Sequence, residues 1–166
     1  MAKPAEIAAF LGEVRVFAQV DLVDREALAA RLSERHLRRG QILFRDGESG
    51  EEMFVVRQGS VVISKPVTGG VEQVLARAGV GDFFGEMTLF DRSPRSATIQ
   101  AETDVTLLVL NRSSLEQLTD ANPRAAASFF QALVLVFIER LRASSELVAE
   151  VTRWGLEATG LDVEPR

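Results

Sequence analysis

Between residues 40 and 85 the chain carries nine of its twelve glycines, at 40, 47, 50, 59, 69, 70, 79, 81 and 85. Between them lie short runs rich in β-branched, aliphatic and aromatic residues: Ile42-Leu43-Phe44, Met53 to Val56, Val61-Val62-Ile63 and Val71 to Ala76. Thr98-Ile99 and Val105 to Leu110 continue the pattern. Short strands broken by glycine turns every ten residues or so predict a sandwich or barrel of antiparallel strands. Asp46-Gly47 and Gly69-Gly70 are turn pairs, since glycine tolerates positive φ; Gly69-Gly70 is expected to be the most flexible hairpin tip.

Helical periodicity flanks this half. Ile7, Phe10, Leu11, Val14 and Phe17 recur at helical spacing over residues 3 to 20. Asp21 and Asp24 offer caps for a second helix, with Leu22, Ala29 and Leu32 as its buried side. Its end is expected among the cations Arg35 to Arg39, with Gly40 as the stop. Beyond the strands, Asn111 or Ser113 caps a helix through Leu118, and Asn122-Pro123 opens another that runs to about Glu150. In this last helix Ala127, Phe130, Val134, Phe137, Leu141, Ser144, Val148 and Val151 alternate in steps of three and four, a heptad seam. Leu133, Leu135, Val136 and Ile138 make its first half apolar all round. One face can pack on the β domain; a parallel pair with a second copy covers the other. The divisions expected are a helical segment 1–39, a β unit 40–111, helices 112–152 and a tail 153–166.

Composition narrows the function. A net charge of −5 argues against a general nucleic-acid surface. The absence of cysteine removes disulfides and thiolate metal sites and fits a cytoplasmic location. The most apolar segment, Phe129 to Ile138 with Gln131 interrupting it, is too short to span a bilayer. His36, the only histidine, reads as an exposed side chain, not a metal ligand. No nucleophile–base pair, paired acids or metal cluster stands out, so an enzyme is not expected.

The chemistry concentrates in FGEMTLFDRSPRSAT, Phe84 to Thr98. Gly85-Glu86 is followed nine to ten residues on by Arg95-Ser96-Ala97. A carboxylate, a guanidinium and a hydroxyl on one short segment suit a ligand bearing hydroxyls and one phosphate. Each group has a plainer alternative: Glu86 and Arg95 can pair as a salt bridge that pins the loop, Gly85 can be a turn glycine and Ser96 a loop serine.

These stretches resemble the cyclic nucleotide-binding domain, as in the bacterial catabolite activator protein and the regulatory subunit of protein kinase A. The family's glycine signature is matched by Phe44-Arg45-Asp46-Gly47-Glu48, Met53 to Val56 and Gly59-Ser60-Val61, and its phosphate-binding cassette by residues 84–98. The resemblance covers at least residues 15 to 150. It implies an α+β, mainly β fold: a double-stranded β-helix or jelly roll of about eight short strands, with N-terminal helices and a long C-terminal helix. It implies a cAMP or cGMP ligand, cAMP preferred, and no further cofactor. Arg95 and Ser96 would take the phosphate and Glu86 the ribose 2′-hydroxyl. The turn after Gly85 would bring backbone N–H groups to the phosphate, so Phe84, Gly85, Met87, Thr88 and Ala97 belong to the expected site. Thr88 stands where the family usually has a small residue and receives no distinct role. The activator's base-binding helix resembles Arg140-Leu141-Arg142-Ala143-Ser144-Ser145-Glu146 once one helical turn is inserted, which makes Ser144 and Ser145 candidates for the base; as plain seam residues they are equally accounted for. Trp154 either stacks on the base or closes the end of the helix core. Val151 to Arg166 is too short for a DNA-binding helix-turn-helix. The chain therefore reads as a complete, stand-alone cytoplasmic sensor, homodimeric through helix 123–150, with an unidentified effector protein and without nucleic-acid or membrane partners. The rival readings are a ligand-independent interaction module and a truncated transcription regulator.

Overall fold

The computed structural model describes residues 3–67 and 70–158. Helix α1 (Pro4–Glu13), a 3-10 turn (Arg15–Phe17) and helix α2 (Leu22–Ala29) lead into eight strands. These are β1 (Ser33–Leu37), β2 (Ile42–Phe44), β3 (Glu52–Gln58), β4 (Val61–Val67), β5 (Val71–Ala78), β6 (Phe83–Phe84), β7 (Thr98–Ala101) and β8 (Val105–Asn111). A short helix α3 (Met87–Asp91) sits between β6 and β7, and α4 (Arg112–Ala121) and α5 (Pro123–Ala158) close the chain. The strands form two four-stranded antiparallel sheets, in the orders β1-β8-β3-β6 and β2-β7-β4-β5. This is the jelly-roll arrangement expected, with a long C-terminal helix.

The first sheet explains why its strands read as apolar runs, not alternations. Its two faces are both covered. Phe54, Phe84, Val56, Leu107 and Val109 point at the second sheet and meet Phe44, Val61 and Ile99. Met53, Val55, Leu108 and Leu110 point the other way and meet α1, the 3-10 turn, α4 and α5 through Leu11, Phe17, Leu118 and Phe129. The β domain and the helices are thus joined through one shared sheet.

Several sequence expectations change. The N-terminal periodicity does not make one helix: the chain turns extended at Val14, and a 3-10 turn then delivers Phe17 onto Phe129, 6.1 Å ring to ring. Helix α2 ends at Ala29, and Ser33–Leu37, expected at its basic C-terminus, is an edge strand on β8. Ion pairs of Arg35 with Glu52 and of Glu34 with Arg57 fix that strand across the sheet. Leu22 is exposed and Asp24 is buried in its place, accepting from Ser128 Oγ at 2.7 Å. Asp21 occupies the N-cap position without a side-chain cap and pairs with Arg124. In α4 the cap is Asn111, whose side chain accepts from Ser114 N–H. Helix α5 runs past Glu150 to Ala158, carrying Trp154 within it instead of in a tail. Asp46-Gly47 does turn, with Gly47 at φ 82°. The expectation for the hairpin tip at Gly69 lies outside the described residues.

Candidate functional site

A cavity of about 490 Å³ opens between β6, α3, the segment before β7, the β4–β5 ladder and α5. Its walls include Phe84, Gly85, Glu86, Met87, Thr88, Arg95, Ser96 and Ala97, all residues of the predicted site. Ser144 and Ser145 do not reach it. Both are exposed on α5, and Ser145 Oγ donates to the Leu141 carbonyl one turn back. Arg140, one turn nearer the N-terminus, faces the cavity instead. Trp154 is 62% exposed, so within this chain it neither lines the cavity nor closes the helix core.

Arg95 is only 4% exposed. Its guanidinium lies 4.1 Å from the Phe44 ring centre, and Nη1 donates to the Glu52 carbonyl at 2.7 Å and to Thr88 Oγ1 at 3.0 Å. Two glycines make room for it. A Cβ on Gly85, whose φ is +76°, would lie 2.8 Å from Nη1 and 3.0 Å from the Glu52 carbonyl oxygen. A Cβ on Gly50 would lie 2.2 to 2.4 Å from Nε, Cζ and Nη2. Gly85 is therefore more than a turn glycine, and Gly50 is a site residue that sequence reasoning passed over. Its only signal was a glycine three residues after Gly47 that the Asp46-Gly47 turn did not need.

The electrostatics are one-sided. Among the described residues no carboxylate pairs with Arg95, and its buried Nε has no hydrogen-bond partner. Burial draws its pKa below the ordinary arginine value and the nearby Arg35 charge adds to this, while Glu52 and Glu48 oppose it. An anion placed in the cavity answers that deficit.

Glu86, 5% exposed, does not pair with Arg95. Its Oε1 accepts from Arg140 Nη1 at 2.7 Å, and Arg140 stacks 4.8 Å above the Phe83 ring centre. The carboxylate and the buried guanidinium thus occupy separate parts of one cavity, each held by a different partner. Ile63, Ala76 and Phe83 supply an apolar wall. At the rim, Asp91 accepts from the Ser93 N–H at 2.9 Å and from Ser93 Oγ at 2.8 Å. These bonds hold its carboxyl below the usual range and terminate α3, where Arg92 adopts a left-handed φ of 56°. The arrangement has a cation, a carboxylate and an apolar surface, which suits an anionic ligand with hydroxyls and a flat apolar part.

The family described as cyclic nucleotide-binding domain matches residues 34–122. The cAMP-dependent protein kinase regulatory subunit of Debaryomyces hansenii is 33% identical over 109 residues, 66% of this chain and 23% of that protein. A CRP-like cAMP-activated global transcriptional regulator of Mycobacterium tuberculosis is 27% identical over 141 residues, 85% of this chain and 61% of the relative. Among solved structures, the N-terminal domain of a transcriptional regulator from Streptomyces coelicolor superposes with a TM-score of 0.71 at 33% identity, covering 84% of this chain and 94% of that one. The chain spans less than two thirds of the length of these curated relatives. The family match takes in more than half the chain, with all eight strands bar the first residue of β1 and the whole cavity-forming stretch 84–98, so the chain belongs to the cyclic nucleotide-binding domain family.

Proposed function

We propose that this chain is a cyclic nucleotide sensor that takes cAMP in preference to cGMP and whose C-terminal helix changes position on binding. The observation that carries the reading is Arg95: a buried guanidinium at a cavity wall, without a carboxylate partner among the described residues. A cyclic phosphate supplies the missing charge in a form that a planar fork can meet with two hydrogen bonds. Ser96 and Ala97 flank that fork. Glu86 takes the ribose 2′-hydroxyl. Among the described residues its Oε2 accepts no hydrogen bond, so one acceptor remains for a hydroxyl donor. The base then lies along Ile63, Ala76 and Phe83. Guanine would bring more hydrogen-bond donors than adenine to an apolar wall, which favours adenine.

Coupling to α5 runs through Glu86. The side chain that meets the ribose already holds Arg140, so occupancy of the cavity and the position of α5 compete for, or share, one carboxylate. Binding moves the helix only as far as the ligand's affinities for the two positions differ. The exposed distal seam of α5, with Leu141, Val148 and Val151, gives this movement an outlet: a second copy of the chain pairs through it, and an effector protein reads the pair.

Calorimetry with cAMP and cGMP tests the reading. Saturable heat is expected with both, larger affinity with cAMP, and an Arg95→Ala variant is expected to lose about 2–4 kcal/mol, the size of a charge-assisted bidentate contact. No heat with either nucleotide sinks the sensor. Unchanged affinity in Arg95→Ala sinks the assignment of the phosphate site. A melting temperature indifferent to both ligands leaves a ligand-independent module of the same fold.

A further inference from the structure

Thr88 is buried in α3, and its hydroxyl and its carbonyl are both engaged inside the protein. Its hydroxyl donates to the Gly85 carbonyl at 3.0 Å. A hydroxyl has one proton, so the 3.0 Å contact with Arg95 runs the other way: Nη1 donates and Oγ1 accepts. The Thr88 carbonyl accepts from Arg112 Nη2 at 2.5 Å. That carbonyl lies in the last turn of a five-residue helix, where the helix itself offers no donor. Arg112 opens α4, its side chain is largely enclosed, and its own N–H donates to the Glu51 carbonyl at 2.9 Å. Thr88 is therefore fixed from behind by α4 and turns its hydroxyl lone pair on Arg95.

For Arg95 the result is an asymmetric guanidinium. Nη1 faces three acceptors, the Glu52 carbonyl at 2.7 Å, Thr88 Oγ1 at 3.0 Å and the Gly85 carbonyl at 3.3 Å, and has two protons to give. Nε and Nη2 donate to nothing among the described residues. We infer that Thr88 is a positioning residue for Arg95: by holding Nη1, while Gly50 closes on the buried Nε, it leaves Nη2 to meet the ligand's exocyclic phosphate, and through Arg112 it ties the guanidinium to α4. The inference rests on the cyclic nucleotide reading of the cavity and gives the Thr88 side chain a role that involves no contact with the ligand.

Two substitutions separate hydroxyl from shape. Thr88→Val keeps the branched side chain and deletes the oxygen; Thr88→Ser keeps the oxygen and deletes the methyl. Binding is measured by calorimetry on the full chain with cAMP and with the Rp and Sp phosphorothioates of cAMP, which differ only in which exocyclic oxygen is replaced by sulfur. Thr88→Val is expected to weaken cAMP binding roughly tenfold, the scale of one hydrogen bond to a charged group. It is also expected to narrow the affinity ratio between the two phosphorothioates, because a loosened guanidinium distinguishes the two oxygens less well. Thr88→Ser is expected to restore both. Wild-type affinity and wild-type ratio in Thr88→Val overturn the inference, as does a folded Thr88→Ser that restores neither. If Thr88→Val does not melt cooperatively, Arg112→Gln decides from outside the cavity: an expected loss of roughly threefold in cAMP affinity supports the tie, and no loss overturns it. Wild-type protein that binds no cyclic nucleotide overturns the sensor reading as well; wild-type binding with indifferent variants overturns Thr88 alone.

Discussion

The two halves of helix α5 continue one heptad seam but differ in how much of it the fold covers. Before Glu139, Ala125, Ala126, Phe129, Ala132 and Leu133 are buried against the other helices and the first sheet. After Arg140, Leu141, Leu147, Val148, Val151 and Trp154 are all exposed, Leu141 at 68%. A heptad of apolar residues states that a face needs cover and does not state what covers it. In the proximal half the seam borders the core face: Ala125, Ala126 and Phe129 are buried, Phe130 and Phe137 of the seam pack against the core, and Ala127 and Val134 are exposed. The fold therefore covers part of the seam through Phe130 and Phe137 and leaves Leu141, Val148 and Val151 open. The boundary falls at two adjacent residues that both form ion pairs, Glu139 with Arg15 of the 3-10 turn and Arg140 with Glu86.

The largest expected difference between the halves is in stability. Phe129→Ala is expected to cost about 3–5 kcal/mol, because the ring is fully buried and stacked beside Phe17. Val148→Ala in dilute protein is expected to change stability by no more than about 0.5 kcal/mol, as for an exposed position. Urea unfolding of both variants at low concentration makes the comparison. Similar losses at both sites would mean that the distal half is covered even in the isolated chain.

The next effect concerns assembly. If the seam pairs two copies, a charge placed at its centre must be buried without a partner. The double substitution Leu141→Asp, Val148→Asp is expected to raise the dimer dissociation constant on the order of tenfold or more while leaving the monomer's melting temperature within a few degrees. Sedimentation velocity across a concentration series reads the first, and thermal melting the second. A wild-type chain that stays monomeric at high concentration removes the second copy as the cover of this face.

The same contrast governs what the sequence made legible. The strands of the first sheet were visible because both faces are covered, so Met53 to Val56 and Val105 to Leu110 appear as unbroken apolar runs. Strand β1 was not: Ser-Glu-Arg-His-Leu has no β-branched residue, and its conformation comes from five-residue pairing with β8 and from ion pairs to Glu52 and Arg57 on β3. In the cavity, Phe84 to Ala97 could be read because its groups follow one another along the chain. Arg140 could not, since it meets Glu86 across 54 residues. Within the stretch Arg140 to Glu146, Arg140 faces the cavity and Ser144 and Ser145 do not. One turn of α-helix rises about 5.4 Å, enough to carry Ser144 past a cavity that Arg140 reaches.

The smallest effects separate the two ion pairs at the boundary, and with them the claim that the cassette holds the helix. Arg15 and Glu139 are exposed, at 82% and 56% of their side chains. Arg140 is half exposed, but its partner Glu86 is 6% exposed at the side chain. Solvent screens the first pair, so Arg15→Ala is expected to cost about 0.2–1 kcal/mol, and the reversed pair Arg15→Glu, Glu139→Arg to recover most of it. Arg140→Ala strands an enclosed carboxylate and is expected to cost more, about 1–3 kcal/mol. It should also change the discrimination between cAMP and its 2′-deoxy analogue, since the carboxylate that meets the ribose has lost its only protein donor among the described residues. Denaturation curves give the two costs and calorimetry the discrimination. Equal costs with unchanged discrimination would mean that α5 is held at its exposed edge, and that Glu86 and the helix do not share one carboxylate.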